Sequence, residues 1–395
     1  MQSHPPPPPP AFPPSPLFPQ NNPPTHLLPI RHLYIHIPFC PKICPYCSFY
    51  KEASDRNKTQ DFLNAILKEA HTYRELLQPH TLFFGGGTPS ALSTKQLTYL
   101  LEGLHQTLDL SEVQEWTLEM NPATVSLEKA QTLRTLGVNR ISMGVQSWDP
   151  TLLERLGRVH SAEQALRSFA ILREAGFENI NLDLIFGIPG QTLQQWDASL
   201  QQTLSLNPEH IAAYCLTYEE DTDFFLRFQK GEFQQHPETD AELFEHTLQT
   251  LENAGYTGYE ISNYAQPNRL CQHNLAYWCG HDYLGLGPSA VSTINSHRWK
   301  NTCHTETYNT TLKNPQHTAA PIDFYEPLSP QTRTQEQLAF QLRTHFGVPK
   351  HLLQPNQTQA LDQLESPGLI RSTPTHYLLT HAGKLVADSI AEILI

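Results

Sequence analysis

No stretch of this sequence holds the roughly 20 consecutive apolar residues needed to cross a bilayer, so no membrane span is expected. Basic residues are in the minority. The chain has 26 Lys and Arg against 39 Asp and Glu, a formal charge of −13 and a pI of about 5.8. That balance argues against a nucleic-acid backbone as partner, and leaves at most a peripheral membrane contact. Cysteine is scarce: seven in 395 residues, an odd number, three of them in one loop. With no secretory signal legible, disulfides are not expected and a reducing, cytoplasmic setting is.

Charge is missing altogether from residues 1–30, which contain no Lys, Arg, Asp or Glu but 13 of the 33 prolines. Proline fixes φ and removes a backbone donor, so this stretch is expected to be a disordered, extended polyproline tail. It lacks the basic amphipathic pattern of a transit peptide and the charged start and apolar centre of a signal peptide. A docking ligand for a proline-reading domain is the alternative.

What is present begins at Arg31. Short apolar runs at 33–37, 81–84, 116–120, 140–145, 179–186 and 210–218 alternate with amphipathic stretches. Those stretches predict helices near 60–77, 94–108, 126–136, 161–175, 193–204 and 240–254. Six strand–helix units predict an α/β fold with a parallel sheet and right-handed crossovers, either doubly wound or a partial (β/α)6 barrel. In both, chemistry belongs at the C-terminal ends of the strands. The unusual residues fall there: the cysteine loop, GGGTPS at 85–90, Glu119 to Asn121, Gln146, Asp183 before GIPG, and Tyr214 with Cys215.

The loop reads CPKICPYCSFY from Cys40 to Tyr50, with C-x3-C-x2-C spacing. Thiolates suit zinc or iron–sulfur clusters. A structural zinc site wants a fourth Cys or His; His36, on a strand, is poorly placed to close it. A four-iron cluster is normally held by four cysteines. Three would leave one iron open to an exchangeable ligand, such as the amino and carboxylate groups of S-adenosylmethionine.

The spacing, with Tyr46 before the last cysteine, resembles the radical S-adenosylmethionine superfamily. YIHIPFCPKICPYCSF, FFGGGTPS, NRISMGVQSW, LGRVHS, NLDLIFGIPGQT and CQHNLAYW narrow the resemblance. Together they are similar to the branch holding oxygen-independent coproporphyrinogen III oxidase (HemN) and the heme chaperone family HemW, over Tyr34 to Trp299. The resemblance implies a partial (β/α)6 barrel over 31–310. It makes Cys40, Cys44 and Cys47 ligands of a [4Fe-4S] cluster. It assigns S-adenosylmethionine to Tyr34, Tyr46, Gly86, Gly87, Thr88, Glu119, Gln146, Arg158 and Asp183, with Cys215 and Val291 beside the adenine. Glycine at 86 and 87 would allow close backbone approach.

Two departures separate the relatives. Where the oxidase pattern carries a fourth cysteine this chain has Phe49, and the oxidase's ordered N-terminal segment is replaced by the polyproline tail. HNLAYW matches the HNxxYW motif of the heme chaperones. This implies a heme site at His273, with Tyr277 and Trp278 stacking on the porphyrin and Cys271 as a thiolate alternative; imidazole is a common axial ligand. Residues 325–395 predict helix, helix, hairpin and helix, which resembles the branch's small winged-helix-like C-terminal domain, after a polar, pattern-free connection near 305–330. The implied function is a heme chaperone passing heme to a hemoprotein, for example a respiratory one. An electron donor is needed only if the cluster is redox-active. The competing reading is an oxidase acting on coproporphyrinogen III; a radical enzyme for another tetrapyrrole is weaker.

Overall fold

The computed structural model describes residues 29–53 and 56–395. The tail expectation for 1–30 therefore lies almost wholly outside the described residues. The six expected strands are all present: β1 (Ile30–Ile37), β2 (Leu77–Gly86), β3 (Glu115–Met120), β4 (Arg140–Gln146), β5 (Ile180–Phe186) and β6 (His210–Cys215). They pair in parallel in chain order. Leu284–Leu286 adds a parallel strand outside β1, and Asn263–Ala265 an antiparallel one outside β6. The nine-stranded sheet is not closed, since its first and last strands are unpaired with each other.

The helices following the six strands are α1 (Arg56–Tyr73), α2 (Thr94–Thr107), α3 (Leu127–Thr135), α4 (Ala162–Glu174), α5 (Leu193–Ser205) and α6 (Pro237–Asn253). Three of them start from the same local chemistry. Ser93, Ser161 and Thr192 each accept from the amide three residues on, where Gln96, Gln164 and Gln195 bond back. Such capping boxes satisfy two orphan amides of the first turn. Leucines at 97, 100, 101 and 104 then bury the inner stripe of α2. Helix α1 ends four residues earlier than its pattern predicts, because Leu76 and Leu77 are buried at the sheet and Leu77 pairs with Ile30.

The largest difference from expectation lies in 255–327. The stretch read as a pattern-free connection contains a helix, Thr305–Lys313, and an edge strand, Ile322–Pro327, that pairs with His297–Asn301. Tyr308 of that helix is fully buried and donates to Glu69 of α1. Glu69 also accepts from the Gly287 amide at 2.9 Å and the Asn301 amide nitrogen at 2.8 Å. One buried carboxylate thus ties α1 to three later segments.

Beyond Ser329 the order is helix (Pro330–Leu342), short strand, helix (Pro355–Gln363), hairpin (Ile370–Ser372 with His376–Leu379) and short helices. Val348–Pro349 joins the hairpin as a third strand. Leu338, Leu342, Val348, Leu361, Ile370, Tyr377 and Leu394 form a separate small core. It is fastened to the barrel by a bidentate Arg298–Glu336 pair at 2.8 and 2.7 Å and by Arg333–Asp282 at 2.9 Å. Among the described residues no helix is long and apolar enough to cross a membrane.

Candidate functional site

Alternation along a strand puts every second residue into the barrel, and here those residues are polar. Arg140, Ser142, Gly144 and Gln146 of β4 and Asn181 and Asp183 of β5 line one cavity of about 420 Å³. Its other walls include Glu119, the Gly86–Thr88 turn, Tyr46, Cys47, Arg158 and Cys215. Nine of the eleven residues expected around S-adenosylmethionine therefore face one space, beside the cysteine loop.

All three loop cysteines are free; Cys40 is buried, Cys44 and Cys47 half-buried. Burial pushes the Cys40 and Cys47 thiols up, with each also feeling the neighbouring sulfurs. Thr88 Oγ1 lies 3.4 Å from Cys40 Sγ, and Arg158 donates to Cys44 Sγ at 3.6 Å and to the Gly144 carbonyl at 2.8 Å. Arginine so fixed joins the cysteine loop to β4. Among the described residues no three His, Cys, Asp or Glu side chains are gathered closely enough for a single metal ion.

The glycine turn is built by close approach. A Cβ on Gly87 would sit 2.5 Å from the Pro38 carbonyl oxygen, and Gly86 has φ +109° against the His36 ring. The Gly87 and Thr88 amides donate to Ile37 and Phe39 at 2.8 and 2.9 Å. With those donors spent, the turn offers carbonyl oxygen, the partner an ammonium group needs. Gln146 adopts φ +69° at the strand end, beside a register shift against β5. A non-glycine residue held there over a cavity is a mark of a functional constraint.

Two carboxylates share the interior. Burial, reinforced by Asp183, pushes Glu119 up to about 8, while the Gly86 amide opposes the shift. Asp183 is pushed up to about 6 by burial, against the hydrogen bond from Asn181 at 2.6 Å and the charge of Arg140. Arg140 was not anticipated from the sequence. It is 2% exposed, its Nε has no partner among the described residues, and Cys271 and Glu115 support its charge against burial. The polar alternation of Arg140, Ser142, Gly144 and Gln146 was the signal for it; an arginine at a strand start otherwise reads as an exposed flank.

Tyr34, although beside Glu119, and Val291 do not line this cavity. Both line a second cavity of about 710 Å³, with Tyr50, Lys51, Tyr277, Tyr283, Lys300 and Cys303. Ser48 and Phe49 line both spaces, and Phe49 is 68% exposed. Tyr277 and Tyr283 meet edge to face with centroids 4.4 Å apart.

The HNLAYW segment places its histidine in the interior. His273 is 1% exposed. Its Nδ1 is 2.7 Å from Thr81 Oγ1, its Nε2 is 2.9 Å from the Tyr277 hydroxyl, and the ring stacks on Phe83. Burial pushes it down to about 3. Both ring nitrogens are thus engaged within the protein. His273 and Tyr277 are four residues apart on one helical face (Gln272–Trp278), so the histidine holds the tyrosine against the cavity. Cys271 is buried, lines the inner cavity and lies 3.5 Å from Glu115, which accepts from the Gln272 and His273 amides. Trp278 lines neither cavity; it meets Phe340 edgewise, with Arg343 over its ring, at the C-terminal unit.

The Radical SAM superfamily profile matches residues 34–203. The heme chaperone HemW of Bacillus subtilis is 36% identical over 374 residues, spanning 91% of this chain and 98% of its own length. The chain belongs to the HemW family of the radical S-adenosylmethionine superfamily. HemW of Escherichia coli is 33% identical over 384 residues, covering 93% of this chain and 99% of the relative. Among solved structures, coproporphyrinogen III oxidase (HemN) from Escherichia coli superposes with a TM-score of 0.80 over 93% of this chain and 90% of that one. At 23% identity that likeness is one of fold.

Proposed function

We propose that this chain binds heme and passes it to an acceptor hemoprotein, and that it carries a [4Fe-4S] cluster on Cys40, Cys44 and Cys47 with S-adenosylmethionine in the 420 Å³ cavity. The end-to-end similarity to a heme chaperone carries the reading. Phe49, in place of the oxidase's further cysteine, supports it.

The residues present fit the implied groups. Three free soft donors share one loop, and Cys47 among them lines the polar cavity, which suits a cluster with one metal left for a cavity ligand. When bound, the cluster supplies an electron and a Lewis-acidic site. The chain's own residues bind and orient. Carbonyl oxygen of the Gly86–Thr88 turn receives the ammonium group of S-adenosylmethionine. Asp183, held by Asn181 and Ser142, accepts from the ribose hydroxyls, with Gln146 beside it. Arg158 secures the loop and adds positive charge next to the thiolates. Tyr46, packed on Phe224, shields the site from water.

Anaerobic protein titrated with hemin should give a saturable Soret change, and the loaded protein should transfer heme to an apo-hemoprotein. Absence of saturable binding would overturn the proposal. So would turnover of coproporphyrinogen III to protoporphyrinogen IX with S-adenosylmethionine and a reductant, which would restore the oxidase reading.

A further inference from the structure

We infer that the heme site of this chain is the 710 Å³ cavity on the far side of Phe49, with Lys300 and Lys51 receiving the propionates; the inference rests on the heme reading above. The cavity has the volume of a small-molecule site and stands beside the S-adenosylmethionine cavity with Ser48 and Phe49 between them. Its walls include Tyr34, Tyr277, Tyr283 and Phe49, flat rings able to pack on a planar macrocycle.

Charge gives the orientation. The chain is strongly acidic, yet this cavity presents two ammonium groups against the single carboxylate of Asp221, which is exposed at the rim. Lys51 donates to the Cys47 carbonyl, which places it at the cysteine-loop end. Lys300 extends from strand His297–Asn301, half-buried, and makes no hydrogen bond or ion pair among the described residues. A half-buried ammonium without an anion is a receptor waiting for one. A planar ligand with two carboxylates on one edge would satisfy both lysines and leave its faces to the tyrosines. His273 then acts as a positioning residue: it holds Tyr277 through its 2.9 Å hydrogen bond.

The test uses the full-length, cluster-loaded protein, with hemin and hemin dimethyl ester as probes. Lys300 is the residue to change, because Lys51 also supports the cysteine loop. Lys300→Gln should weaken hemin binding about tenfold, as expected for loss of one charge-assisted contact, and Lys300→Glu should weaken it further. The ester, lacking free carboxylates, should bind the wild type weakly and be indifferent to Lys300→Gln. S-adenosylmethionine binding and thermal unfolding should stay unchanged and so report intact folding. Hemin affinity equal in wild type and both variants would overturn the inference while leaving the heme reading in place. Equal affinity of hemin and ester for the wild type would do the same. Absence of saturable hemin binding by the wild type would overturn both.

Discussion

The two cavities that meet at Phe49 are built from opposite materials. The inner one is walled largely by residues of the barrel strands and the loops at their ends: three carboxylates, two arginines, amides and a glycine turn. The outer one is walled by tyrosines and lysines, several contributed by the irregular segments after residue 276. The first offers directional polar partners to a small, many-handled ligand; the second offers flat apolar area and two cations. On the proposed reading, one scaffold presents a nucleotide site and a macrocycle site side by side.

The sharpest way to separate them is to remove a cluster ligand. Cys44→Ala should abolish the brown absorbance of the reconstituted protein and strongly weaken S-adenosylmethionine binding, while hemin still binds the outer cavity. A retained cluster would refute the ligand set.

Next comes the buried carboxylate behind the outer wall. Glu69 fastens Gly287 and Asn301, on either side of Val291 and Lys300 in sequence, and burial raises it from 4.5 to about 7. Because the folded protein holds this proton more tightly, its stabilising effect is complete below the unfolded value. It is lost as pH rises through about 7, by on the order of 3 kcal/mol. Wild type should lose stability to urea between pH 5 and 8, and Glu69→Gln should flatten that slope. A variant with the wild-type slope would show that Glu69 is ionised throughout.

Asp183→Asn probes the inner cavity. It should weaken S-adenosylmethionine by about 10- to 100-fold, the range for a charged hydrogen bond, and leave hemin untouched. Since Asp183 is raised to about 6 and must be ionised to accept best, wild-type binding should tighten as pH rises through that value. Equal losses for both ligands would merge the two cavities into one.

The smallest effect distinguishes positioning from ligation. His273→Ala should lower hemin affinity only a few-fold (about 1 kcal/mol for one lost hydrogen bond) and keep the Soret position. A changed Soret position would restore His273 as an axial ligand.

Legibility in the sequence follows the same division. The six strands and their helices were readable because each carries a clean period and several carry capping boxes. The inner cavity was readable because its glycines, cysteines and strand-end polar residues occur in contiguous motifs. The outer cavity was not. Lys51 and Lys300 are 249 positions apart, and Tyr283 and Lys300 belong to irregular segments with strands of only three to five residues. His273 was legible as important, but its role depended on Thr81, 192 positions away in sequence, which no local pattern announces.

The claim that the two cavities serve two ligands is tested most directly by titrating hemin into the cluster-loaded protein with and without saturating S-adenosylmethionine. Separate sites predict that the hemin dissociation constant is the same within about twofold and that both ligands are bound at once. Mutual exclusion, with hemin affinity falling in proportion to S-adenosylmethionine concentration, would contradict it.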